Sequence, residues 1–62
     1  SIMEYFTSLK IEKAKQLLRE NELSVKEIAD ALAFDTPNYF SKTFKQLTGQ
    51  TPSSYKKHSF FP

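Results

Sequence analysis

Helix-start signals divide this chain of 62 residues into four segments. Ser1 and Ser24 are each followed three residues later by a glutamate, which is the pattern of a capping box at a helix N-terminus. Thr36 and Thr51 each precede a proline, and proline suits the first position of a helix because its missing N–H would have no partner there. No segment alternates between apolar and polar residues over a useful length, so the chain is predicted to be all-α.

These starts, and the breaks between them, set the bounds of the helices. The helix from 36 is expected to end at Gly49, which can take the left-handed conformation. The tail 58–62, which contains Phe60 and Phe61, receives no assignment. A capped second helix, a three-residue turn and a third helix follow each other in helix-turn-helix order. We therefore expect one domain over residues 1–62, a three-helix helix-turn-helix bundle of homeodomain-like type with a short fourth helix. The predicted helical segments, caps included, are 1–21, 24–32, 36–48 and 52–57.

The first predicted helix carries two apolar faces, rotated from each other by about a third of a turn or more. In its first half the apolar residues are Ile2, Phe6 and Leu9, flanked by Tyr5. In its second half they are Ile11, Ala14, Leu17 and Leu18. A helix whose apolar face shifts midway is expected to pack against two different bodies.

Composition excludes several classes of function. The chain has no cysteine, one histidine and one glycine, which argues against a structural zinc site and a glycine-rich phosphate loop. His58 has no clustered acid beside it in sequence, so we predict no enzyme activity and no metal or other cofactor. No apolar run exceeds four residues, so no membrane span or membrane partner is expected. Without cysteines or a targeting signal, the expected location is the cytoplasm.

The net charge of +2 is unevenly distributed. Residues 1–35 contain five basic residues and all seven acids, a balance of −2, whereas residues 36–62 contain four lysines and no acid. A positive half of this kind favours a polyanionic partner, although four lysines on a solvated surface would give the same count.

The third helix has a polar face without a carboxylate. On a helical wheel, three polar residues lie within about 60° of Asn38, namely Ser41, Lys42 and Lys45. The opposite side, expected to be buried, carries Phe40, Thr43, Phe44 and Leu47. Asparagine and lysine can bond base edges in a major groove, and a lysine farther along can reach a phosphate. An ordinary solvated helix face has the same periodicity, so a plain three-helix bundle stays equally open at this point.

Taken together, four segments resemble the AraC/XylS family of bacterial transcription regulators. Residues 5–18 (YFxxLKIxxAxxLL) resemble the linker helix of that family. Residues 24–34 (SVxxIAxxLAF) resemble the first helix and turn of its second helix-turn-helix unit. Residues 39–45 (YFSKxFK) and 49–56 (GxTPxxYK) resemble its recognition helix and closing motif.

The resemblance implies sequence-specific binding of double-stranded DNA, with helix 36–48 in the major groove. By position in the motif, the implied base contacts are Asn38, Ser41 and Lys42, with Pro37 at the edge of the groove. The implied backbone contacts are Ser24, Thr36, Lys45 and Thr51. In both interpretations Phe34, Phe40, Phe44, Leu47 and Tyr55 belong to the core.

The resemblance also implies what else such a protein contains. The family's DNA-binding domain has two helix-turn-helix units, and only the second unit and the linker helix match here. The chain is therefore predicted to be a fragment of a longer regulator with a sensor domain, with an apolar patch exposed near its N-terminus. RNA polymerase is a further implied partner. The alternative is a helical protein-interaction module that uses the acidic N-terminal helix or that patch.

Two positions depart from the family pattern. Ala33 stands where the family usually has glycine, and an alanine in a left-handed turn costs about 1 kcal/mol. Lys10 and Lys56 stand where the family often has arginine, which would keep the charge but lose a bidentate donor.

Overall fold

The computed structural model of the chain describes residues 1–59, with side chains through residue 57. Within that part the chain is helical and contains no strand, so the all-α prediction is confirmed. Phe60 and Phe61 of the unassigned tail lie outside the described residues. The four helices, labelled in chain order, are α1 (Ile2–Glu20), α2 (Val25–Ala31), α3 (Pro37–Thr48) and α4 (Pro52–Ser59).

Each helix begins where its cap predicts. The hydroxyl oxygens of Ser1 and Ser24 accept hydrogen bonds in two complete capping boxes. The Thr36 hydroxyl oxygen accepts from the Tyr39 N–H at 3.0 Å, and that of Thr51 accepts from the Ser54 N–H at 3.1 Å. These bonds satisfy N–H groups that have no partner inside their helices, and so they fix where each helix starts.

The helix ends also follow the sequence closely. Gly49 closes α3 with φ of 88°, the left-handed conformation predicted for it. No atom would lie within 4 Å of a Cβ at this position, so the backbone angle rather than space favours glycine. Helix α4 extends to Ser59, two residues beyond the predicted end at 57, because neither of those two residues is a glycine or proline.

The turn between α2 and α3 is a Schellman motif with an alanine at the left-handed position. Ala33 has φ of 63° and donates to the Asp30 carbonyl at 3.1 Å, while Phe34 donates to the Ala29 carbonyl at 3.0 Å. The predicted left-handed turn at Ala33 is thereby confirmed. Phe34, the residue after Ala33, points into the core and is only 8% exposed.

The core contains residues from all four helices and this turn. Two phenylalanines of α3, Phe40 and Phe44, are fully buried, and so is Pro52 at the start of α4. Leu17, Leu23, Val25, Leu32 and Tyr55 are partly buried around that core. The remaining buried apolar residues are Ile11, Ala14, Leu18, Ile28, Ala29 and Phe34.

Leu47 is not a core residue, contrary to the prediction, because its side chain is 52% exposed. It faces an open groove between α1 and α3, where α1 presents the small polar residues Thr7 and Ser8. Met3 and Glu4 of α1 also line this groove, but the groove is open and leaves Leu47 half exposed. The helical wheel predicts the direction of Leu47 but not the distance between α1 and α3, on which its burial depends.

Helix α1 divides into two halves, as its sequence predicts. Ile11, Ala14 and Leu18 are buried against the other helices. The large apolar residues of the first half stay exposed, and four of them form what we call the N-terminal apolar patch: Ile2, Tyr5, Phe6 and Leu9. The predicted exposed patch is therefore present.

Candidate nucleic-acid interface

Helix α3 separates a buried side from an exposed polar side. Phe40 and Phe44 bury one side of the helix in the core. The exposed side, which we call the reading face, consists of Asn38, Ser41, Lys42 and Lys45. Ser41 is half-buried, and the other three side chains are exposed.

The polar groups of the reading face are not used inside the protein. None of its four side chains makes a hydrogen bond or an ion pair with another side chain or backbone group in the part of the chain described with side chains. From Asn38 to Lys45 the face extends for about 10 Å along the helix axis. Since the major groove of B-form DNA is about 12 Å wide, an α-helix with these donors fits it.

The first turn of α3 adds further exposed groups next to the reading face. Thr36 and Pro37 are both exposed at the first turn. The Thr36 hydroxyl oxygen is occupied as an acceptor by the Tyr39 N–H, but its hydrogen can still be donated. The first turn also carries the positive end of the helix dipole, which favours a nearby anion.

Ser24 and Thr51, the other predicted backbone contacts, cap α2 and α4. The Ser24 N–H is already taken by the Glu27 carboxylate at 2.8 Å, so only the Ser24 hydroxyl hydrogen is left for a phosphate. The bonds from the Ser24 backbone and side chain also hold the pKa of Glu27 below its ordinary value. Thr51 is half-buried, and its hydroxyl has the same single remaining hydrogen.

Three cationic side chains outside the reading face make contacts within the protein. The Lys10 ammonium lies 5.2 Å from the centre of the Phe34 ring, and Lys56 donates to the Leu23 carbonyl at 3.2 Å. Arg19 donates to the Tyr55 hydroxyl at 2.8 Å. At the two departures from arginine, lysine therefore makes single contacts that need no bidentate donor.

Tyr39 is the residue of this region that the predicted site omitted. It is 56% exposed in the first turn of α3, and its ring meets that of Phe34 edge-on with 5.9 Å between centroids. Its place on the wheel, about 100° from Asn38, put it between the two faces and gave no role. The signal available in the sequence was an aromatic residue at the border of the polar face.

The described residues offer little for other classes of function. They contain no group of three or more histidine, aspartate or glutamate side chains placed to hold a metal ion. Among the helices of residues 1–59, none combines the length and apolar character needed to cross a membrane.

Comparisons with known proteins identify the domain. A family model described as "Helix-turn-helix domain" matches residues 1–58. The chain is 37% identical over 57 residues to the HTH-type transcriptional regulator GlxA of Rhizobium meliloti, covering 92% of this chain and 18% of that protein. It is 41% identical over 54 residues to the HTH-type transcriptional regulator YijO of Escherichia coli, covering 87% of this chain and 19% of that protein.

A third relative is the transcriptional regulatory protein YesN of Bacillus subtilis, 43% identical over 56 residues, covering 87% of this chain and 15% of that protein. No solved structure matches the chain significantly. The chain spans less than a fifth of the length of these three relatives. Because the family model covers nearly all of it, the chain belongs to the AraC-type helix-turn-helix family of DNA-binding transcription regulators.

Proposed function

We propose that α3 enters the major groove of double-stranded DNA and reads base edges with Asn38, Ser41 and Lys42. The observation that carries this proposal is the reading face itself, an exposed helix surface with amide, hydroxyl and ammonium donors and no carboxylate. Asn38 can bond adenine at two points, and Lys42 can donate to guanine O6 and N7. Pro37 lies at the edge of the groove in this arrangement.

The contacts to the DNA backbone are assigned to the residues around that face. Lys45, one further turn along α3, would neutralise a phosphate, and Thr36 would donate its hydroxyl hydrogen to another. Ser24 and Thr51 would do the same from the starts of α2 and α4. Contacts of this kind set the register of the protein on DNA and do not select a sequence.

The test uses the 62-residue chain and a set of random duplexes, from which the preferred sequence is selected at low salt. Asn38→Ala and Lys42→Ala should each relax the preference at one or two base pairs and cost about 1–3 kcal/mol for the preferred duplex. Lys45→Ala should weaken binding to all duplexes alike and lower the slope of log affinity against log salt by about 1.

Lys13→Ala is the matched control. Lys13 is an exposed lysine of α1, and among the residues described with side chains its ammonium makes only a 3.5 Å hydrogen bond to Gln16. Its loss should leave both the preferred sequence and the salt slope close to those of the wild type. If Asn38→Ala and Lys42→Ala retain the wild-type preference, α3 is not the reading helix.

A second role is favoured by the N-terminal apolar patch. We propose that this patch packs against the first helix-turn-helix unit of a longer regulator, which would also contain a sensor domain and act in the bacterial cytoplasm. Such a regulator would have RNA polymerase as a further partner. An apolar contact of this kind should persist at high salt, whereas binding to DNA should fall steeply. The salt dependence therefore separates a protein-interaction module from a DNA reader.

A further inference from the structure

Tyr39 combines exposure with a fixed position. Its side chain is 56% exposed, although its ring packs edge-on against Phe34 at an interplanar angle of 60°. Phe34 is itself buried, with its ring 5.0 Å from that of Phe40 and the Lys10 ammonium on it. The Tyr39 ring therefore rests on a surface that is part of the core.

The hydroxyl group of Tyr39 has no partner among the residues described with side chains. Within residues 1–57 it forms no hydrogen bond, although phenolic O–H groups normally have a partner, in the protein or in water. The ring also borders the open groove between α1 and α3, together with Met3 and Leu47, so the hydroxyl can be reached from outside. A phenol has only two side-chain torsions, so holding it in one place costs little conformational entropy.

The position of Tyr39 relative to the reading face indicates what the hydroxyl would meet. On the wheel, Tyr39 lies about 60° from Lys42 and about 100° from Asn38, at the border of the face and not at its centre. With the centre of the face against the base edges, a border residue in the first turn is directed at the sugar-phosphate strand that bounds the groove.

We propose that Tyr39 is a further DNA-contacting residue, whose hydroxyl donates a hydrogen bond to a phosphate oxygen of the strand beside the reading face. The ligand is the phosphodiester backbone of double-stranded DNA, so the contact adds affinity without choosing bases. This inference depends on the proposed role of α3.

Tyr39→Phe tests the proposal, since it removes the hydroxyl and keeps the ring that packs on Phe34. The chain contains a closely matched control in Tyr5→Phe. Tyr5 is 61% exposed, and its ring meets the neighbouring Phe6 ring edge-on at 5.8 Å and 61°. The two variants thus make the same chemical change in similar surroundings, one beside the reading face and one in the N-terminal apolar patch. Their thermal unfolding should match that of the wild type.

Binding to the preferred duplex and to an unrelated duplex is measured over a range of salt concentrations. Tyr39→Phe should bind both duplexes about tenfold more weakly, the effect of losing a hydrogen bond to a charged group. The salt slope should stay at the wild-type value, because a neutral phenol releases no counterion. This unchanged slope distinguishes Tyr39 from Lys45, whose removal should reduce it. Tyr5→Phe should bind as the wild type does.

The proposal is overturned if Tyr39→Phe and Tyr5→Phe bind DNA equally well, or if Tyr39→Phe changes the preferred bases. If Asn38→Ala and Lys42→Ala weaken binding in the same experiment while Tyr39→Phe does not, only the role of Tyr39 is lost. If all three bind like the wild type, the proposed function of α3 is wrong as well. A protein partner in the groove between α1 and α3 would then become the better explanation for the exposed Tyr39 ring.

Discussion

Replacing Ala33 by glycine should stabilise the protein, although it removes a side-chain atom. Ala33 has φ of 63° in the Schellman motif that ends α2, where a Cβ lies too close to the neighbouring carbonyl oxygen. The side chain is exposed, so the substitution leaves no cavity. Both backbone hydrogen bonds of the turn, 3.1 Å and 3.0 Å long, are made by N–H groups that glycine does not disturb.

The expected gain is the difference between two opposing terms. Relief of the left-handed strain stabilises the folded chain by about 1–2 kcal/mol. The greater freedom of glycine in the unfolded chain opposes this by about 0.4–1 kcal/mol. The net gain in the free energy of unfolding should therefore be about 0.5–1 kcal/mol. For a domain of this size, that corresponds to a rise of about 2–8 °C in Tm.

Ala31→Gly provides the control with the same chemical change. Ala31 is also exposed, but it lies at the last residue of α2 with a helical backbone. There glycine should cost about 0.5–1 kcal/mol, because only the entropy term acts. Thermal and urea unfolding followed by far-UV circular dichroism should thus move in opposite directions for the two variants. If Ala33→Gly lowers Tm as much as Ala31→Gly does, the turn is not strained and the reasoning fails.

Three further perturbations test the core, the link to α1 and the capping box. Phe44→Ala should lower the free energy of unfolding by about 3–5 kcal/mol and leave so small a domain largely unfolded. A wild-type Tm for this variant would show that the core is wrongly assigned. Lys10→Met keeps the aliphatic part of the side chain but removes the cation over the Phe34 ring, and should lower the free energy of unfolding by about 0.5–1 kcal/mol. The control Lys13→Met should change the free energy of unfolding by no more than about 0.5 kcal/mol. The pKa of Glu27 is held below its ordinary value of 4.5 by Ser24, so its stabilising effect is present above that value and is lost as the pH falls through the lowered pKa. Acid titrations of stability should show this loss in the wild type and a weaker one in Glu27→Gln.

Local signals in the sequence were enough to place the helices. Ser1 and Ser24 carry complete capping boxes in the structure, and Gly49 takes the left-handed conformation expected of it. These features depend on residues within one turn of each other, and so they can be read without knowing the fold. The positive φ of Ala33 is similar, because the hydrogen bonds of its turn involve only neighbouring residues.

Contacts between distant residues were not accessible in this way. Leu47 points in the predicted direction, but whether it is buried depends on how closely α1 packs against α3, and here the two helices leave an open groove. The contact of Lys10 with Phe34 joins residues far apart in the sequence, and nothing near either residue predicts it. The proposed role of Tyr39 could not be predicted for the same reason. The helical wheel shows the direction of its side chain but not the Phe34 ring against which it packs.

The independence of the reading face from the rest of the fold has a consequence for how such a domain can diversify. Asn38 and Lys42 make no hydrogen bond or ion pair with the described residues, so replacing them should change stability by no more than about 0.5 kcal/mol. The buried phenylalanines of α3 can therefore stay unchanged while the outward residues vary. With α3 reading DNA as proposed, one scaffold could thus acquire a different target sequence in single substitutions, each tolerated by the fold before it brings any benefit.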